Sequence, residues 1–407
     1  MKQQIESNWS AEVAFLQAII AVPSENPPGD CAAAADTIAG LLRNIGFDVE
    51  EHPVPDAFLR HCGMKSVTNL IVRETFADGG PVIALVAHGD VVPAGDGWSL
   101  DPFGGTIRGD AVYGRGAAVS KSDFATYAFA LKALKEQAIA GGNLLRGAVE
   151  LHLTFDEETG GFVGPKYILE QAISKPDLAI SAGFSHAVTT AHNGCLHLEI
   201  VVRGRQAHAA LPETGIDALE AATPILQALY VERHRLSDRL SSEKGIGSPK
   251  LTVGVISGGI NTNVVPDRVV LRVDRRLIPE EDGLEVERTL TDLVMQHAQS
   301  GLGAEVECRR IMLAEPLHPI DGTEKLVEAI RSASKTVLGE ALETSGTPLY
   351  TDARHYCEAG IPTVLFGAGP ETISESQAHG ADEHVQLHDL KAATNIVALA
   401  LQDLLTE

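Results

Sequence analysis

Four apolar runs, each bounded by proline, glycine or acids, punctuate the chain: PVIALVAHGD (81–90), VELHLTFDEE (149–158), PDLAIS (176–181) and IPTVLFGAG (361–369). Runs of this length without strict polar alternation read as strands buried on both faces. Between them lie segments with apolar residues at helical spacing: AAAADTIAGLLRNIG, closed by Gly46, then roughly 121–137, 323–338 and 388–406. A glycine just past the last periodic residue suits the left-handed position that ends a helix. Strands alternating with helices predict an α/β layer with a mostly parallel sheet flanked by helices. Three of the runs end at a histidine, an acid cluster or a glycine-rich loop. The carboxyl ends of such strands are where ligands bind in open α/β sheets.

From about residue 192 the pattern changes. HLEIVVRG, LTVGVISGG and DRVVLRVDRRLIP alternate with period two, and a helical pattern runs through DALEAATPILQAL. Period-two alternation predicts an antiparallel sheet with one solvated face. Signals of the first kind return after about residue 313. The expected organisation is therefore one domain formed by 1–191 and 313–407, with an α+β domain, 192–312, inserted in it. No internal repeat or low-complexity segment interrupts the chain.

Composition narrows the chemistry. The 407 residues are 44% hydrophobic, and no run of 18 apolar residues is present, so a membrane span is not expected. The first residues, MKQQIESNWSAEVAFL, carry charges where an export signal needs a continuous apolar stretch, which predicts a cytoplasmic protein. A net charge of −23 argues against nucleic acid and anionic membrane as partners, because both are bound by clustered Lys and Arg. A small-molecule or peptide substrate remains. Five scattered cysteines without a C-x-x-C pair argue against a disulfide framework and a zinc site built from thiolates. A metal here would be held by His, Asp and Glu.

Three stretches could hold one. His88 and Asp90 follow directly on a predicted buried strand, where an imidazole can ligate a metal while a neighbouring carboxylate orients it; a plain Gly-Asp turn is the other reading. Asp156, Glu157 and Glu158 end another strand, and like charges packed there cost energy unless a cation compensates or one carboxyl is protonated. One Glu as ligand beside one as general base is the division of labour needed to activate water, whereas a solvated acidic loop is the alternative. His379 and His384 flank Asp382 and Glu383 before the last helix, where one His could ligate or Asp382 could cap.

Taken together, HGDVVPAGDGW, DPFGG, YGRGAA, FDEETGG, AHAALPETGIDA, GGINTNVVP, TDAR and GIPTVLFGAGP followed by AHGADEH resemble a family of metal-dependent hydrolases. It includes acetylornithine deacetylase, succinyl-diaminopimelate desuccinylase, aminoacylase and glutamate carboxypeptidase. The resemblance covers nearly the whole chain. It implies a catalytic α/β domain, a lid domain that dimerises, and two metal ions hydrolysing an amide next to a carboxylate. By position, His88 resembles a ligand of one metal with Asp90 behind it, Glu158 and His379 resemble ligands of the other, and Glu157 resembles the general base. His208 resembles a lid residue that reaches a neighbouring subunit's site to stabilise the developing oxyanion. Asn263 resembles a lid residue that contacts substrate. Arg276 and Arg354 resemble guanidinium groups placed for a substrate carboxylate, with ion pairing inside the fold as the alternative.

The resemblance breaks at YGRGAAVSKSD, where Val119 stands in the place of the family's metal-bridging Asp, and again near Gly183, about where a second acid is expected. A valine ligates nothing, and two unbridged dications a few ångströms apart repel. Asp123 lies one helical turn on and could substitute; Ser120 to Asp123 also fits a helix-start capping pattern. The economical expectation is one ion, Zn, Mn, Co or Fe, on His88, His379 and Glu158, with Asp123 or water filling further positions. The expected reaction is hydrolysis of the amide of an N-acyl amino acid or small peptide bearing a carboxylate, with Glu157 as base. Hydrolytic removal of an amino group from an activated ring is the alternative within the enzyme class. A non-catalytic small-acid-binding protein is the alternative outside it.

Overall fold

The computed structural model describes residues 1–141, 144–298 and 303–406. They form two compact units: 1–190 with 319–345 and 351–407, and 191–318 with 346–350. Among the described residues no helix is long and apolar enough to cross a membrane.

The first unit is organised by a mixed sheet of eight strands in the order Glu50–Pro53, Thr68–Thr75, Arg146–Thr154, Ala77–His88, Leu178–Ser181, Thr363–Leu365, Val188–His192 and Thr344–Thr347. The four apolar runs supply its four adjacent central strands, and these pair in parallel. Central parallel strands covered by helices have no solvated face, and Leu85, Leu151, Ile180 and Val364 are all fully buried. The helices Ala32–Asn44, Lys121–Ile139, Thr323–Leu338 and Leu387–Thr406 stand where their periodicity placed them. A helix over Lys2–Ile20 is an addition to the expected set. It buries Phe15, Leu16 and Ile19 in the same core as Phe129 and Leu401.

The parallel arrangement brings the ends of two central strands together. Ala77–His88 pairs with Arg146–Thr154 so that His88 stands opposite Thr154, and the chain then continues into Gly89–Asp90 and Phe155–Glu158. A small sheet in the order His384–Gln386, Ala111–Tyr113, Thr106–Arg108 ties the segment after His379 to the glycine-rich loop that begins at Gly114.

The second unit is an antiparallel sheet ordered Lys250–Gly258, Arg268–Leu277, Gly194–Arg203, Glu305–Ala314. Leu196, Leu198, Ile200 and Val202 pack from one face against Ala221, Ile225 and Leu229 of the helix Ala218–Leu236 and against Leu290 and Val294 of the helix Gly283–Ala298. The opposite face carries charge: Glu199 is paired with both Arg272 and Arg309. The fourth strand and the second helix extend the expected α+β set.

Candidate metal centre

Asp90 is the hub of the site. It is fully buried, and its side chain gathers four donors. Oδ1 accepts from the backbone N–H of Glu157 at 3.2 Å, and Oδ2 from that of Glu158 at 3.2 Å and from Asn26 Nδ2 at 2.9 Å. His88 Nδ1 lies 3.2 Å from Oδ1 and 3.0 Å from the Asp90 carbonyl oxygen. With Nδ1 engaged by Asp90, Nε2 is the nitrogen left to face a ligand, the orientation a metal-ligating imidazole needs.

The free nitrogen faces carboxylates. His88 Nε2 is 3.9 Å from Glu157 Oε2, and ligand atoms of His88, Glu157 and Glu158 all lie within 4.8 Å of one another. His379 Nε2 stands 3.3 Å from Glu158 Oε1, an oxygen shielded from solvent and without a hydrogen bond of good geometry. A buried carboxylate oxygen in that condition is costly unless it has an electrophilic partner. The nitrogen and oxygen donors, the oriented imidazole and the unsatisfied oxygen fit a divalent transition ion. His88, Glu158 and His379 would hold it, with Glu157 beside them.

Electrostatics agree. Burial pushes the Glu157 carboxyl up to about 7, with Glu158 and Asp90 adding to the rise and His88 and His379 opposing it. Burial pulls the His88 imidazole down, yet the hydrogen bond to Asp90 and the charges of Glu157, Asp90 and Glu158 outweigh it and hold it well above its ordinary value. The Glu158 carboxylate beside it likewise raises His379. The pocket is short of positive charge and holds protons in its place.

Neighbouring loops fix these groups. Ser120 Oγ donates to the His88 carbonyl at 3.0 Å and accepts from the His88 N–H at 3.1 Å, docking the loop that contains Val119 onto the end of the strand. Glu383, fully buried, accepts from the N–H groups of Ala118 and Val119 and pairs with Arg115 at 2.6 Å. Asp156 turns away from its two neighbours and accepts from the Val163 N–H at 2.7 Å. At Gly161, with φ +68°, a Cβ would lie 2.0 Å from Asp352 Oδ1, so only glycine allows this close approach.

Two candidates meet other partners. Asp123 lies outside the group formed by His88, Glu157 and Glu158, and no side-chain cap forms at Ser120. Asp123 is buried, and its Oδ1 accepts from the Ala368 N–H at 2.8 Å, filling the space beside Gly367. The Ser120 hydroxyl is committed to His88. Arg354 is buried too, and donates to the Gly160 carbonyl at 2.5 Å beneath the glycine turn after Glu158, so it supports the loop that carries the acids. At Gly183 a Cβ would meet Leu365 Cβ at 2.7 Å, which leaves no room for an acid.

The remaining candidates belong to the second unit. His208 is exposed, with Nδ1 accepting from the Ala210 N–H at 3.1 Å, and the carbonyl of Asn263 accepts from the Ala209 N–H, so His208 and Asn263 lie on adjacent loops. Arg276 forks onto both oxygens of Asp274, at 3.0 and 3.1 Å. Asn26, Arg115 and Glu383 are supports to which sequence reasoning gave no role, although Arg115 lies within YGRGAA and Glu383 within AHGADEH.

Residues 84–403 match the model of peptidase family M20/M25/M40. The chain is 30% identical to a succinyl-diaminopimelate desuccinylase of Gluconacetobacter diazotrophicus, covering 95% of both chains. It is 27% identical to an acetylornithine deacetylase of Klebsiella pneumoniae, covering 97% of this chain and 98% of the relative. Among solved structures, an M20 family metallo-carboxypeptidase of Sulfolobus solfataricus superposes with a TM-score of 0.75 at 19% identity, over 96% of this chain and 99% of the other. Sequence match, shared fold and a histidine-carboxylate centre at the ends of the central strands agree that the chain belongs to peptidase family M20/M25/M40 and is a metal-dependent hydrolase of C–N bonds.

Proposed function

We propose that the protein hydrolyses the amide of an N-acyl amino acid or small peptide that bears a carboxylate near the scissile bond, using one divalent ion per chain. The observation that carries the reading is the convergence of His88 Nε2, Glu157 and Glu158 around a shared point, with Asp90 fixing all three. When bound, the ion supplies Lewis acidity, polarising the carbonyl and acidifying water. Glu157 takes the proton of the attacking water and passes it to the departing nitrogen, which leaves as the amine. Glu158 and His379 hold one side of the site, and His88, locked by Asp90, holds the other. In the proposed assembly His208 comes from the second copy of a lid-mediated homodimer and donates to the developing oxyanion, while Asn263 contacts the substrate. With Arg354 buried, Arg276 is the remaining candidate for the substrate carboxylate, and it would have to share its guanidinium with Asp274. The cytoplasm is the proposed location.

Replacing Glu157 by Gln tests the reading. Turnover of N-acetyl and N-succinyl amino acids falls by about 10²–10⁴-fold, the size of a general-base contribution, while metal content by elemental analysis stays at the wild-type value. Wild-type turnover in the variant would remove Glu157 from the mechanism. A specific feature favours a second reading: Val119 and Gly183 offer no carboxylate where the family resemblance expects two, which suits a single-ion site working on an activated ring amine. Ammonia release from aryl amines, without cleavage of any acyl amino acid, would select it.

A further inference from the structure

The face of the second unit that carries Glu199 holds another convergence of metal-ligating atoms, with Cys195 buried and His197 and Asp274 half-buried. Cys195 and His197 stand two residues apart on the strand Gly194–Arg203, and Asp274 is the cross-strand partner of His197 on Arg268–Leu277. Residues two apart in a strand share a face, as do directly opposed residues of neighbouring strands. The three side chains therefore meet: Cys195 Sγ lies 3.3 Å from His197 Nε2 and 3.9 Å from Asp274 Oδ2, and His197 Nε2 lies 2.9 Å from Asp274 Oδ2.

We propose that Cys195, His197 and Asp274 form a second cation site, selective for a thiophilic divalent ion such as Zn(II) or Co(II) and separate from the His88 centre. Geometry separates this from a nucleophile relay. In a relay the imidazole uses one nitrogen toward the thiol and the other toward the acid. Here sulfur and carboxylate both address Nε2, so the three atoms face one point. Metal–sulfur bonds near 2.3 Å and metal–nitrogen or metal–oxygen bonds near 2.0–2.1 Å imply edges of about 3.3–3.6 Å for a tetrahedral face. The observed triangle of 3.3, 2.9 and 3.9 Å averages close to that range, with each edge within about half an ångström of it.

Charge and access fit as well. Arg276 grips Asp274 through Nε and Nη2, fixing the carboxylate, and each carboxylate oxygen has a further lone pair for a ligand bond. His197 and Asp274 side chains remain 35% and 31% exposed, which leaves the ion an outward position for water or a small anion. A thiolate, an imidazole and a carboxylate together suit Zn(II) over Mg(II) or Ca(II).

Cobalt(II) titration of the full-length, metal-stripped protein distinguishes this site from the first, whose donors include no sulfur. Saturation should bring in a near-ultraviolet thiolate-to-cobalt charge-transfer band that added Zn(II) bleaches. Cys195→Ser should abolish the band and lower cobalt content by one equivalent. His197→Gln, which keeps the thiol, should raise the cobalt concentration at half-saturation of the band at least tenfold. No such band in the wild type overturns the proposal. So does a band that survives Cys195→Ser, which would come from another thiol. If Cys195→Ser does not fold by circular dichroism, an unchanged band in His197→Gln overturns it in the same way. Loss of hydrolysis in Glu157→Gln has no bearing on the band, so the two readings fail separately.

Discussion

Asp90 is fully buried behind the converging donors, yet both carboxylates of the centre depend on it. Its two oxygens fix the backbone of Glu157 and Glu158, and its contact with Nδ1 fixes the His88 ring. Asp90→Asn keeps the volume but turns one acceptor into a donor facing N–H groups, so at least one of these bonds is lost. Groups that orient metal ligands typically contribute 10–100-fold in affinity, and a loss of that size in zinc affinity is expected from chelator competition. Affinity within twofold of wild type would mean that the loop holds its shape without the carboxylate. Asp123 teaches the opposite lesson at the same scale. Its spacing from Val119 made it a candidate ligand, but spacing along a helix fixes only which face a side chain occupies. A backbone N–H at Ala368, 245 residues away, decides where its oxygen goes.

At the scale of elements, the central strands were legible because parallel strands covered on both faces must be continuously apolar, and their ends carry His88 and Glu157–Glu158. What escaped did so for physical reasons. The strand Glu305–Ala314 lies at a sheet edge, where charged residues such as Arg309 and Arg310 replace the apolar signal. Glu383 supports the Val119 loop across 265 residues of sequence, a contact no local pattern reports. The helix Lys2–Ile20 places a carboxylic acid, Glu12, on its buried face and so interrupts its own apolar stripe. That acid yields a prediction. Glu12 is fully buried, accepts from Thr394 Oγ1 at 2.5 Å on the helix Leu387–Thr406, and is pushed by burial up to about 8. The folded chain therefore keeps a proton that the unfolded chain releases above about pH 4.5. Stability attributable to this group is greatest below that pH, and falls as pH rises toward 8 by up to about 1.4 kcal/mol per pH unit. Glu12→Gln removes the titration. The variant should gain on wild type between pH 5 and 8, by on the order of 2–4 kcal/mol at pH 8, and match it near pH 4.5, as read from urea midpoints at each pH. A gap that does not change with pH would show that Glu12 does not hold its proton in the fold.

For the molecule as a whole, the second unit bears on how many copies act together. Its strand Lys250–Gly258 is a sheet edge, with unpaired backbone groups and exposed Val255 and Ile256. On the helix Ala218–Leu236, Leu219, Tyr230 and Val231 are exposed as well, and Leu219 and Ile256 line one groove. Edges and apolar surface of this kind are normally paired or covered. In the proposed homodimer they meet a second copy, and the partner supplies the oxyanion donor. Ile256→Glu would place a charge against its own symmetry mate, since a two-fold interface brings the same patch from both subunits together. The expected outcome is a halved mass by light scattering at micromolar concentration, with His88-centre metal content unchanged. Turnover should fall by roughly 10²–10³-fold, the cost of one oxyanion donor, matching His208→Ala in the intact dimer. A monomeric Ile256→Glu with full turnover would show that each chain is catalytically complete, and would return His208 to a local role as acceptor of the Ala210 N–H. A variant that stays dimeric would move the interface off this edge while leaving the His88 centre as described.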